Sequence, residues 1–207
     1  VPRVEIDMEK VMELAVRELR ANGHKRLALA MPYPFRTMDV RRLAFCSLME
    51  EVYGNRIKDY YIGIHREELP EDPRILAFQE DEDRESGMYL PEEDFFGKGE
   101  LAAQLFAERK IDATAVVAFN DEFALGMCKR FHALGIQVPR DISLIGIDGS
   151  SARKYRDPCL TSVGLFPEKQ GARCVDTLLD MLEGKKVKYV SGSPIKLIKG
   201  DSVRKLE

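Results

Sequence analysis

A chain of 207 residues with 44% hydrophobic and 32% charged side chains has the apolar material for one sizeable core or two small ones, and reads as a soluble globular protein. Its formal net charge of −3 gives no general pull toward nucleic acid or an anionic membrane, and the basic cluster of a compact DNA-binding module is absent from the sequence. No apolar run approaches the roughly 20 residues that span a bilayer, and no signal peptide is visible.

Taken in order, "RVEID" alternates as a strand, and Met8, Val11, Met12, Ala15 and Leu19 then recur at helical spacing up to Gly23. "RLALAMP" is a short apolar strand stopped by Pro32 and Pro34, and "DVRRLAFCSLMEEVYG" a helix ended by Gly54. "IKDYYIGI" is a third strand. After a polar interval come the helix "GELAAQLFAERK", the strand "ATAVVAF", and an apolar helical stripe at Ala124, Met127, Cys128 and Phe131 closed by Gly135. "ISLIGID" and "LTSVGLF" read as strands. Val175, Leu178, Leu179 and Leu182 share one side of a last helix, and "PIKLI" is a final strand.

Repeated strand–helix units with near-continuous apolar strands predict an α/β fold, a doubly wound parallel sheet covered on both faces. Ligands of such sheets gather outside the carboxyl ends of the strands. Topology therefore brings residues 32–41, 120–121 and 148–153 to one rim. The four cysteines, Cys46, Cys128, Cys159 and Cys174, include no C-x-x-C pair and read as reduced packing residues. His24, His65 and His132 lack metal-ligand spacing, so neither a metal nor a cofactor is expected. Residues 65–100 hold thirteen acidic and four basic side chains and read as a solvated insertion. The pair Phe95–Phe96 at its end either anchors the insertion or walls a pocket.

Several blocks carry a resemblance. "VEIDMEKVMELAVRELRANGHKRLALAMP" has an Asp-led helix running into Gly-His-basic-basic and a strand. "RRLAF" is similar to an Arg-x-x-Gly-Phe signature, with Ala44 at the glycine. "TAVVAFNDEFALGM", "LGIQVPRDISLIGIDGS" and "DPCLTSV" follow in order. Together they resemble the effector-binding region of the lactose-repressor/galactose-repressor family of bacterial transcription regulators. The resemblance implies a periplasmic-binding-protein-like fold of two α/β lobes joined by three crossover strands, with effector in the cleft. It assigns residues 1–7 to the end of the first lobe and a crossover, and 8–157 to an essentially complete second lobe. Residues 158–186 would return to a first lobe present only in part, and 187–207 would form the final crossover strand and tail. Without a partner sheet the last helix would expose Val175, Leu178, Leu179 and Leu182, at about 25 cal/mol per Å². That segment is expected to be rearranged, or covered by another chain.

Arg41 offers a planar fork of five donors that can bridge sugar hydroxyls or hold a carboxylate, and the matching family arginine contacts effector. Asn120 combines donor and acceptor and is assigned to ligand, while Asp121 is assigned mainly to capping the helix that follows. Asp148 ends an apolar strand, where an acceptor can take two hydrogen bonds from adjacent hydroxyls, as the matching family residue does. Gly149, where many family members carry a second acidic residue after the aspartate, and Leu165, where several sugar-responsive members are polar, lower the polarity expected of the cleft. Tyr33, Phe35 and Phe96 are candidate pocket rings. The reading is then a sensor of a small polar effector, a sugar by preference, that alters the DNA affinity of a helix-turn-helix preceding this region. The family implies a cytoplasmic homodimer without membrane contact. Two alternatives remain at this stage: a periplasmic solute-binding protein serving a transporter, and a small α/β enzyme with an acidic lid. No phosphate loop, nucleophile elbow or dinucleotide fingerprint supports the enzyme.

Overall fold

Short apolar runs make the central strands, and a side-chain carboxylate or amide starts four of the five α-helices among the described residues. The computed structural model describes residues 1–35, 37–65, 94–155 and 157–206. The strands are β1 (Arg3–Glu5), β2 (Leu27–Met31), β3 (Tyr61–Gly63), β4 (Ala115–Ala118), β5 (Ser143–Asp148), β6 (Thr161–Gly164), β7 (Val190–Gly192) and β8 (Lys196–Ile198). The α-helices are α1 (Met8–Ala21), α2 (Val40–Tyr53), α3 (Phe95–Glu108), α4 (Asp121–Ala133) and α5 (Pro167–Leu182). Asp7, Asp39, Asp94 and Asn120 each accept a backbone N–H in the first turn of α1 to α4, at 2.7–3.1 Å. Those bonds satisfy donors that a helix start leaves unpaired.

The main sheet runs β3-β2-β4-β5-β6-β8, parallel except for the antiparallel edge strand β8. Every residue of β2, β4 and β6 is buried, because the sheet is covered on both faces. The α1–α2 and α3–α4 pairs form the covering layers. The chain leaves β2 on one side toward β3 and resumes on the other side at β4. The topological switch thus lies between β2 and β4, the place where such sheets open a crevice beyond their carboxyl ends. The C-terminal tail is stitched to this sheet. Ser202 is fully buried; its Oγ donates to the Leu144 carbonyl at 2.6 Å and accepts from the Thr161 amide at 2.8 Å.

Strand β6 corrects one expected boundary. It pairs with β5 from Ile145↔Thr161 to Asp148↔Gly164 and so belongs to the main sheet, not to a returning segment. Leu160 and Val163 are buried, and the polar Thr161 and Ser162 can be buried beside them because the Thr161 hydroxyl accepts the Gly200 amide at 3.0 Å and the Ser162 hydroxyl accepts the Gly149 amide at 3.0 Å. The chain departs only after Gly164, into α5, and meets the separate parallel pair β1–β7. Gln170 Nε2 donates to the Val4 carbonyl at 3.2 Å and ties α5 to β1. α5 is not rearranged. It has no buried residue, and Val175, Leu178, Leu179 and Leu182 are 57, 55, 52 and 75% exposed. The acidic stretch 66–93 lies outside the described residues, and the interval assigned to it gives way to helix at Phe95. Among the described residues no helix is long and apolar enough to cross a membrane.

Candidate functional site

The switch between β2 and β4 is floored by Phe119, the residue that follows β4. Its ring is 3% exposed and meets Tyr33 edge-on at 5.8 Å, Phe95 at 5.2 Å and Phe123 at 6.4 Å between centroids. Arg41, in the first turn of α2, lays its guanidinium over this ring with Cζ 4.0 Å from the centroid. Its Nη1 donates to the Phe119 carbonyl at 3.4 Å, and its Nε lies 3.6 Å from Oδ1 of Asp39. A cation on an aromatic face, braced by a carbonyl and a carboxylate, is held in one orientation while part of its donor fork stays uncommitted.

Asn120 caps α4: Oδ1 accepts from the Phe123 amide at 2.8 Å. This reverses the expected division of labour, because Asp121 is not the cap. Asp121 is 1% exposed and reaches sideways, where its Oδ2 accepts the Ser150 amide at 2.6 Å. Backbone geometry decides between the neighbours. Asn120 is extended, at φ −152° and ψ 179°, and presents its side chain to the helix start, whereas Asp121 is already in the helix. With its carbonyl used, the amide NH2 is the half of Asn120 that a ligand could engage.

Asp148 closes β5 at φ 110°, a conformation that side chains other than glycine rarely adopt. Such strain gathers at ligand sites. The turn beyond it is held by the Gly149 amide donating to Ser162 Oγ at 3.0 Å and the Leu165 amide donating to the Asp148 carbonyl at 3.1 Å. The Asp148 side chain reaches the surface, yet surrounding protein strips part of its hydration. That desolvation, reinforced by the Asp121 and Glu122 charges and opposed by Arg41, pushes its pKa up to about 6. Asp121 is likewise raised by burial, against hydrogen bonds from Ser162 and Ser150 and the charge of Arg153. Arg41 and Asp148 thus sense each other's charge across the β4 end that carries Asn120.

Of the candidate rings, Tyr33 joins the Phe119 floor. Phe35 packs elsewhere, edge-on against Tyr61 at 5.0 Å and under Arg42 at 5.0 Å. Phe96 turns toward α4, with Lys129 Nζ 5.4 Å from its ring. Phe95 takes the place expected of it, because adjacent helix residues point about 100° apart. Two hollows lie away from the rim. One of about 560 Å³ sits between α1 and α2 against Asp7, Glu13, Leu43 and Leu48; another of about 430 Å³ lies against Cys128, His132, Ile136 and Pro158.

A family model for the periplasmic binding protein-like domain matches residues 16–203. The chain belongs to the periplasmic binding protein-like domain family. Its motifs resemble the effector-binding domains of LacI/GalR-type regulators, and the relatives that it matches are transcriptional regulators. It is 31% identical over 183 residues to the transcriptional regulator MalR of Streptomyces coelicolor, covering 88% of this chain and 46% of that protein. Over 107 residues it is 34% identical to the repressor PurR of Vibrio vulnificus, covering 51% of this chain and 32% of that one. The chain spans less than half the length of these relatives. Among solved structures, a LacI-family regulator from Enterococcus faecium with bound ribose aligns with a TM-score of 0.72 at 21% identity, covering 100% of this chain and 67% of that one. A sugar-binding LacI-family regulator from Escherichia coli, complexed with phosphate, gives a TM-score of 0.72 at 23% identity, covering 98% and 63%. Both show the fold.

Within this periplasmic binding protein-like domain, the raised Asp148 pKa has a thermodynamic consequence. A carboxyl titrating near 6 when folded and near about 3.9 when unfolded binds its proton more tightly in the native state. Stability therefore falls as pH rises from about 4 to 6. Asp148→Asn, neutral at all pH, is expected to melt about 2–4 °C above wild type at pH 7. That corresponds to about 1 kcal/mol after allowance for solvent screening. The gain should vanish near pH 4. Melting curves of both proteins between pH 4 and 8 check this, and a gain independent of pH would contradict the linkage.

Proposed function

We propose that this rim is one wall of a cleft that binds a small, hydroxyl-rich effector, a sugar by preference, and that the domain is the sensor of a bacterial transcription regulator. Arg41 would donate from its uncommitted guanidinium N–H groups, Asn120 from its amide NH2, and Asp148 would accept from adjacent hydroxyls. Tyr33, Phe95 and Phe119 would offer apolar ring surface to the faces of the ligand. Effector would favour one lobe arrangement only as far as its affinity for the two differs, and that difference would reach DNA through a helix-turn-helix outside this chain. A cytoplasmic homodimer is the assembly this reading carries. The observation that supports it most is the guanidinium of Arg41, fixed over Phe119 at the topological switch within electrostatic reach of Asp148. The similarity to MalR and PurR favours a regulator over a transporter's solute-binding protein.

A thermal-shift panel of sugars and polar metabolites, run on the full-length protein, tests this. Ligand at 100 times its Kd stabilises by about 2.7 kcal/mol, or roughly 5–11 °C here. Asp148→Ala and Asn120→Ser are expected to remove that shift. Serine keeps an acceptor for the Phe123 amide, so both variants should melt within a few degrees of wild type without ligand. A full ligand shift in both variants would place the effector elsewhere.

A further inference from the structure

The carboxylate of Asp121 is a buried charge that the reading above leaves without a task. It lies in the first turn of α4, one residue after the Asn120 cap, and is bonded to a loop on the neighbouring strand. Three observations converge on it. Its Oδ2 accepts the Ser150 amide at 2.6 Å, across 29 residues of sequence. Its Oδ1 is buried over Gly146 of β5, where a Cβ would fall well inside van der Waals contact. The glycine therefore makes room for the carboxylate, and β5 carries no side chain at the point where Asp121 crosses. The segment it grips is Asp148–Gly149–Ser150, whose first two residues have φ of 110° and 73°. A Cβ on Gly149 would also stand 2.7 Å from Cα of Gly164, so the turn is pressed against β6 with no slack.

We propose that Asp121 is the positioning residue of the rim: it ties the turn after β5 to the first turn of α4, and so fixes Asp148 relative to Asn120. This rests on reading those two residues as ligand groups. Asn120 is set by capping α4, and Asp121 is covalently next to it. Gripping the Ser150 amide places Asp148 two residues away in the same frame and holds the turn in a backbone conformation it would otherwise leave. Oxygen on a short side chain is required, because the donor is a backbone N–H and the space over Gly146 admits no longer group. The charged groups facing Asp121 are Arg153 on the following 3-10 turn and Asp148 itself; those facing Asp148 are Asp121, Arg41 and Glu122.

Amide hydrogen exchange and a carboxyl 13C titration on the intact protein test the brace with no ligand present. Asp121→Asn keeps an acceptor but makes the bond neutral. The Ser150 amide should then exchange about tenfold faster relative to the Phe123 amide, which reports the intact cap. The Asp148 carboxyl should titrate at lower pH, because a like charge beside it is gone. Asp121→Ala should free Ser150 further, with Phe123 still protected. Unchanged Ser150 exchange and an unmoved Asp148 midpoint in Asp121→Asn overturn the proposal, whether or not the alanine variant folds. Loss of protection at Ser150 and Phe123 alike does so too, since it would mean general loosening. Because no effector enters these measurements, the brace can stand while the ligand panel yields nothing, and the reverse.

Discussion

Gly126→Ala is expected to destabilise the domain by about 3 kcal/mol and to lower its melting temperature by roughly 6–12 °C. α3 and α4 touch through a reciprocal pair of glycines. A Cβ at Gly126 would collide with the carbonyl oxygen of Phe96 and approach the Glu100 amide nitrogen to 3.1 Å. A Cβ at Gly99 would collide with the carbonyl of Phe123. In each case the obstacle is backbone, which cannot rotate away as a flexible side chain could, so the helices must separate. Separation opens the layer holding Ala102, Ala103, Phe106, Phe123, Met127 and Phe131, all buried. It also withdraws Phe95 from the Phe119 floor, so the variant should respond more weakly to any ligand of the rim. Gly171→Ala is the control: nothing lies within 4 Å of a Cβ there, and alanine favours helix over glycine by about 0.5–1 kcal/mol. Chemical or thermal unfolding of the two variants decides the matter, and equal melting temperatures would show slack between α3 and α4.

The same helices show what a sequence discloses and what it withholds. β2, β4 and β5 are legible because burial on both faces leaves apolar runs, and turn residues bound them. The helix starts are legible because aspartate and asparagine satisfy first-turn amides. Adjacent Asn120 and Asp121 defeat that logic, since either residue type caps. What separates them is a bond to Ser150, a partner supplied by the tertiary fold. Phe95 and Phe96 fail in the same way: which ring faces the sheet depends on where α3 begins, and an acidic, aperiodic stretch hides that point. Phe119 carries a sequence signal of its own, as an aromatic residue ending a strand at the switch point, next to Asn120. For β6 the sequence marks a short strand but is silent about which sheet takes it; its pairing with β5 decides that. Arg41 acts electrostatically on Asp148 across the strand end that carries Asn120, and the ligand role of all three belongs to the proposal.

Phe119→Ala should have the largest effect of all, because one ring serves both the core and the rim. Removing a buried phenyl leaves a cavity and costs about 4 kcal/mol, or roughly 8–16 °C in melting temperature. Tyr33, Phe95 and Phe123 each lose a ring partner, and Arg41 loses the face on which its guanidinium rests. Instability alone could then explain a lost ligand response, so the informative companion is Phe119→Leu. Leucine refills much of the volume and should cost about 1.5 kcal/mol, yet it presents no π face to the cation. The Phe119 carbonyl remains to accept from Arg41, and the charge of Asp148 still attracts it. The leucine variant should therefore fold, keep the α4 cap, and bind effector at least fivefold more weakly, the cation–π contribution being about 1 kcal/mol. Calorimetric titration with whichever compound the panel identifies measures that ratio. Affinity equal to wild type in a folded leucine variant would mean that Arg41 is oriented by Asp39 and the carbonyl alone, and that the ring is only floor.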